Sequence, residues 1–160
     1  MRKFGFYVDA SQAIQVRGYM LLFNGNYDDD TTQVFRLSQI NSARPTRIEF
    51  SSLELLKRLF SLANYDNQRI YLTGGVLSCG SLSTRVDYFK IISQRWHRAP
   101  SLNLKRYWHS SICLNGHIYV TGGLMSNSTL ESLDIRNGER WQIINEEAAN
   151  LLNDTKIFQA

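Results

Sequence analysis

The sequence predicts an all-β protein made of about three four-stranded antiparallel units, on three observations. Ile70-Tyr71-Leu72-Thr73-Gly74-Gly75 returns as Ile118-Tyr119-Val120-Thr121-Gly122-Gly123, 48 residues on. A basic pair precedes each copy, Lys57-Arg58 and Lys105-Arg106, its arginine 16 residues before the first glycine, and a tryptophan follows each, Trp96 and Trp141. Short aliphatic and aromatic runs broken by Gly, Asn, Asp and Ser clusters recur within every period, and no helical periodicity of useful length interrupts them.

The units run from about 10 to 50, 57 to 100 and 105 to 145, with a tail over 146–160. In the first, strands are expected near Ser11–Val16, Tyr19–Phe23, Thr32–Leu37 and Thr46–Phe50. It holds the weakest copy of the motif, Met20-Leu21-Leu22-Phe23-Asn24-Gly25, displaced by 50 residues from the second copy. The second unit places strands near Leu59–Ala63, Arg69–Thr73, Arg85–Lys90 and Arg95–Ala99. The third places them near Trp108–Leu114, His117–Thr121, Leu130–Asp134 and Trp141–Ile144. Asn115-Gly116 between its first two strands is a strong two-residue hairpin signal. Ser11-Gln12-Ala13, Ser61-Leu62-Ala63 and His109-Ser110-Ser111 align in the leading strands.

The second strand of each unit predicts how the units assemble. Ile70-Tyr71-Leu72 and Ile118-Tyr119-Val120 are continuous apolar runs, the pattern of a strand covered on both faces. A meander sandwiched between two neighbouring meanders meets that need, as the blades of a β-propeller do. The glycine pair ends the strand where the chain turns sharply and its backbone comes close to another. Phe35, Phe89 and Leu133 put a bulky residue at a matched place in the third strands. Trp96 and Trp141 open two of the fourth strands, filling the widening gap between blades.

A basic residue, a hydrophobic strand, an apolar run, Gly-Gly and then Trp together resemble the kelch repeat family over roughly residues 10–145. The match is fullest at Gly74, Gly75 and Trp96 and at Gly122, Gly123 and Trp141. Gly25 carries it in the first unit, where Asn24 replaces the first glycine and a residue near Ile48 the tryptophan. Leu133 stands where tyrosine is usual. The resemblance implies a kelch-type propeller fragment of about three blades. Closed propellers use about four to eight blades, so further blades or a second copy are expected to close the ring.

Composition excludes several classes. The 160 residues are 43% hydrophobic and 20% charged, with net charge +4, as in a globular domain. Lysines and arginines are scattered rather than gathered into a nucleic-acid footprint. No apolar run approaches membrane-spanning length, and the opening Met1-Arg2-Lys3 is followed by too short an apolar stretch for a secretory signal. Cys79 and Cys113 form neither metal spacing nor a disulfide framework. A reduced, cytoplasmic protein is expected. Asn127-Ser128-Thr129 and Asn153-Asp154-Thr155 match the glycosylation pattern at a chance frequency.

No catalytic constellation emerges, and neither metal nor cofactor is expected. His97, His109 and His117 lie in or beside three different strands. Asp28-Asp29-Asp30 lacks the alternation of a calcium loop. No phosphate loop or nucleophile elbow frames any residue, and neither cysteine has neighbours that would activate it. Arg58 and Arg106 sit at junctions between units. They are read either as hydrogen-bonding to backbone carbonyls between blades or as gripping acidic groups of a peptide. Loops 26–31, 76–83, 100–104 and 124–128 share their face and are rich in Ser, Asn and Asp, as recognition loops are. Candidate partner-binding residues are therefore Arg58, Arg106, Ser78, Asn103 and Asn127. Kelch domains similar to this one often gather partners on that face, so the resemblance implies a non-enzymatic scaffold or adaptor binding a protein or peptide. The alternatives are a carbohydrate-active enzyme of oxidase or mutarotase type, or a carbohydrate-binding module using aromatics such as Tyr65 and Tyr107.

Overall fold

The computed structural model describes residues 11–26, 31–37, 46–47, 57–124 and 129–144. Within them the chain is all-β, with three four-stranded antiparallel sheets and no helix. The first sheet holds β1 (Ser11–Val16), β2 (Tyr19–Asn26), β3 (Thr31–Leu37) and β4 (Thr46–Arg47). A short strand β5 (Lys57–Arg58) leads into the second sheet, β6 (Ser61–Tyr65) and β7 (Arg69–Thr73). It pairs with β8 (Val76–Leu77), a two-stranded ladder the sequence reading did not anticipate. β9 (Val86–Lys90) and β10 (Arg95–Ala99) complete the second sheet. The third holds β11 (Tyr107–Leu114), β12 (His117–Leu124), β13 (Leu130–Asp134) and β14 (Gln142–Ile144). The expected continuation of the fourth strand to Phe50 and the tail 146–160 lie outside the described residues.

The second sheet is the filling of a sandwich. Ile70, Leu72 and Phe89 project towards the first sheet and bury against Val16, Leu21, Phe23 and Val34, with Trp96 at the edge. Tyr71, Ala63, Val86 and Ala99 project the other way and bury against Ile118, Val120, Leu133 and Trp141 of the third sheet. Ile70 and Leu72 are 0% exposed and Tyr71 3%, so the unbroken apolar run in β7 has two covered faces, as read. In β12 Ile118 and Val120 are buried while Tyr119 and Thr121 are only half-buried. Among the described residues its second face meets no further sheet.

Turn length corrects the alignment of the repeats. Asn115 and Gly116 (φ 51° and 81°) make a two-residue primed turn between β11 and β12, as Arg17 and Gly18 do between β1 and β2. The turn from β6 to β7 holds three residues, Asp66, Asn67 and Gln68, because Tyr65 pairs with Arg69. The extra residue displaces everything before it. Ser61 pairs with Thr73 and Ser110 with Thr121, so Ser61 corresponds to Ser110, not His109. In the first sheet Gln12, paired with Phe23, takes that place rather than Ser11. A one-residue slip sends a side chain to the opposite face of its sheet, and the two arginines are affected. The third strands differ too. Phe35 pairs with Leu22, two residues along the ladder from the places of Phe89 and Leu133, which pair with Ile70 and Ile118. It occupies the position that Asp87 and Glu131 hold in the later sheets.

Candidate partner-binding site

The second strands end on one face, where Gly75 packs between two incoming segments. Its φ of +96° favours glycine, and a Cβ there would lie 2.7 Å from the Arg58 carbonyl oxygen and 3.2 Å from Phe60 Cβ. Its amide donates to the Arg106 carbonyl at 2.7 Å. At Gly123, φ +89°, the corresponding clashes are with the Tyr107 carbonyl at 2.7 Å and His109 Cβ at 2.9 Å. Arg58 is thus the counterpart of Tyr107, and Lys57 that of Arg106. The equal spacing of the two arginines from their glycines conceals the extra turn residue between them.

Arg106 is buried completely inside the third sheet. Its Nε donates to Glu131 Oε1 at 3.0 Å, one Nη to the Gly122 carbonyl at 2.8 Å and the other to Thr129 Oγ1 at 2.7 Å. Glu131 Oε2 accepts the Asn103 amide at 2.7 Å, and the Asn103 side chain donates to the Trp141 carbonyl at 3.0 Å. Trp141 Nε1 in turn donates to the Pro100 carbonyl at 2.8 Å. Loop 100–105 is fastened to the third sheet by these bonds and to the second by Leu102 N–H to Thr84 O at 2.8 Å. The assignment of Arg106 to a partner is therefore corrected. Its guanidinium braces the loop face from beneath, and the carbonyl it bonds belongs to its own sheet rather than a neighbouring one.

Arg58 is half-buried on the short β5–β8 ladder, and its buried Nε has no hydrogen-bond partner among the described residues. The acid at the Glu131 position of the second sheet, Asp87, is held by Arg85, whose Nε lies 2.8 and 2.9 Å from the two carboxylate oxygens. Ser78 is exposed in the turn closed by Leu77 N–H to Ser81 O at 2.9 Å. Asn103 is exposed on the same face, although its amide is engaged. Asn127 lies outside the described residues. The face thus keeps Arg58, Ser78 and Asn103 and withdraws Arg106.

Sequence reasoning missed Glu131, Thr129 and the Arg85–Asp87 pair, because the third strands had been aligned on their apolar residues. It also missed Trp108, 65% exposed at φ +53°, with its ring 5.5 Å from that of Tyr107. Leu124, opposite Tyr107 in the ladder, is 49% exposed.

His109 Nε2 lies 2.9 Å from Thr73 Oγ1, joining the second and third sheets, and Ser111 Oγ donates to Ser61 Oγ at 2.8 Å. Cys113 borders an open polar cleft with Asn64, Asp66 and Arg136. Burial, and secondarily Asp66, pushes its thiol up to about 11. Among the described residues no three metal-ligating side chains converge, and no helix is long and apolar enough to cross a membrane.

No protein-family model matches the sequence. The chain is similar to a "Putative F-box/kelch-repeat protein" of Arabidopsis thaliana, 32% identical over 107 residues. The match covers 56% of this chain and 27% of that protein, so the chain spans well under half of its relative. The similarity points to kelch repeats.

Proposed function

We propose that the three sheets are kelch-type blades of a β-propeller, and that the chain is a non-enzymatic scaffold holding a protein or peptide partner on its loop face. The observation that carries this reading is the repeated stacking. Successive sheets bury the same strands against each other through two apolar layers. Their leading strands are linked by Asn64 Nδ2 to Gln15 O at 3.2 Å and Ser111 Oγ to Ser61 Oγ at 2.8 Å. Loops 76–83 and 100–104 therefore emerge side by side on a rigid base, which suits recognition. The kelch-repeat name of the Arabidopsis relative agrees with a protein-interaction role.

The test uses the intact chain as bait, with captured proteins quantified against Ser78→Arg and Lys105→Glu variants that melt like the parent. Selective loss of a captured protein is expected. Unchanged capture by both variants overturns the loop-face reading. A carbohydrate-binding reading is favoured by one observation, the exposed ring of Trp108 beside Tyr107. Glycan binding that Trp108→Ala abolishes would replace the first reading with it.

A further inference from the structure

The ladder of the second sheet places three cations in a row. Arg69 pairs with Lys90, and Lys90 with Arg95, so the three side chains lie on one rung and on one face of adjacent strands. Directly opposed residues have Cβ atoms about 4.5–5.5 Å apart, a spacing at which like charges destabilise a sheet. Lys90 and Arg95 are exposed and Arg69 half-buried. Among the described residues no carboxylate forms an ion pair with any of the three. What surrounds Arg69 is aromatic. Its guanidinium lies 5.4 Å from the Tyr65 ring centroid and 5.8 Å from that of Tyr88. Tyr88 in turn stacks on the exposed His97 at 5.0 Å. The hairpin joining β9 to β10 carries Ile92, 82% exposed, two residues beyond Lys90.

The row escapes a linear reading because its members stand 21 and 5 residues apart in the sequence. Only the pairing of β7, β9 and β10 gathers them. It also stands apart from the loop face. Arg69 opens β7 and Thr73 closes it, which puts about 14 Å of strand between the row and the glycine pair.

We propose that the Arg69–Lys90–Arg95 row is a second interaction surface, one that binds an acidic peptide segment through its carboxylates with an apolar side chain seated beside Ile92. Two arginine forks suit planar carboxylates, and the lysine between them supplies a mobile point charge. A carboxylate-bearing strand or helix laid across the row relieves the repulsion among the three cations. The exposed Ile92 favours a peptide, which can seat an apolar side chain against it, over a nucleic acid, whose charged sugar–phosphate backbone carries none.

The test is fluorescence anisotropy of a labelled peptide of glutamates around one central leucine, titrated with the intact chain at low and high salt. Binding that weakens with salt is expected, together with a loss of about tenfold or more in Lys90→Glu/Arg95→Glu. The double variant changes exposed residues only and, with a carboxylate opposite Arg69 in place of a like charge, should melt no lower than the parent. Lys105→Glu, on the loop face, should bind the peptide like the parent, which separates this surface from the loop-face reading. Equal affinity in parent and double variant overturns the proposal, as does tighter binding of a labelled oligothymidylate than of the peptide. If Ile92→Ser leaves affinity unchanged, the apolar part of the assignment is wrong.

Discussion

Arg106 Nε lies 3.0 Å from Glu131 Oε1, and neither side chain has any exposed surface. The pair is satisfied on every side by Gly122, Thr129 and Asn103. A buried charge left without its partner is costly, whereas replacing both by apolar groups of similar size is often neutral. Arg106→Leu should therefore lower the free energy of unfolding by about 3–5 kcal/mol, and Arg106→Leu/Glu131→Leu should recover a good part of it. Arg58→Leu, at the sequence-matched but structurally unmatched position, should cost about 1 kcal/mol or less. Urea denaturation of the four proteins checks this. Equal losses for the two single arginine variants would restore the alignment that the turn length overturns.

Gly75 and Gly80 both have positive φ, +96° and +81°, but only Gly75 has a carbonyl where its Cβ would go. Gly80→Ala should cost about 1 kcal/mol, the backbone penalty alone. Gly75→Ala should cost about 1–3 kcal/mol more, because the colliding Arg58 carbonyl belongs to a paired strand and has little room to shift. Thermal melts of both variants decide. Equal shifts would show that the segments flanking Gly75 can separate.

The two tryptophans carry one sequence motif but differ in burial. Trp141 is 2% exposed and makes a hydrogen bond to Pro100. Trp96 is half-buried, edge-on to Phe23 at 5.9 Å and Phe89 at 5.3 Å. Trp141→Ala should cost about 3–5 kcal/mol and Trp96→Ala less. Calorimetry would refute this ranking by finding Trp96→Ala the more damaging change.

How much was legible follows from these residues. The apolar run Ile70-Tyr71-Leu72, the Asn115-Gly116 turn and the Gly-Gly pair each express a local constraint, so strand positions and the stacking of the second sheet could be read directly. Register could not, since it depended on whether Asp66-Asn67-Gln68 closes as a two- or three-residue turn. Both fit the composition, and the choice decides whether Arg58 faces as Arg106 does or the opposite way. The Arg69–Lys90–Arg95 row was illegible for the same reason, because cross-strand neighbours are created by pairing.

Cys113 offers a check on the interface between the second and third sheets. Burial holds its thiol up to about 11, above the ordinary value of 9.0. The folded state therefore keeps a proton that the unfolded chain releases, so this group's contribution to stability is full below pH 9 and fades as pH rises towards 11. Burial of Tyr71 raises its phenol in the same direction, so the alkaline loss should shrink, not vanish, in Cys113→Ala. Iodoacetamide labelling read by mass spectrometry should modify the exposed Cys79 well before Cys113 at pH 8.5. Labelling at equal rates would mean that the cleft opens freely.

The flank of the third sheet turned away from the second should govern behaviour in solution. Ser61, Ala63, Tyr71 and Thr73 of the second sheet, 9%, 2%, 3% and 0% exposed, are covered by the third. Their counterparts on the third sheet are Ser110, Ile112, Tyr119 and Thr121. Ile112 is 41% exposed, Ser110 is exposed, and Tyr119 and Thr121 are half-buried. At the other end of the stack Met20 is also 41% exposed, with Leu22 half-buried beside it on the far face of the first sheet. Exposed apolar flanks of this kind associate in water, and the flank of the third sheet repeats the layout by which the second already binds a sheet. Sedimentation velocity of the 160-residue chain should show concentration-dependent association, and Ile112→Lys/Tyr119→Lys should abolish it while leaving the melt of the first two sheets intact. A parent chain that stays monomeric at about 100 μM, far above the dissociation constant of a stable interface, would sink the prediction. Association that the double variant leaves untouched would move the contact to the Met20 face.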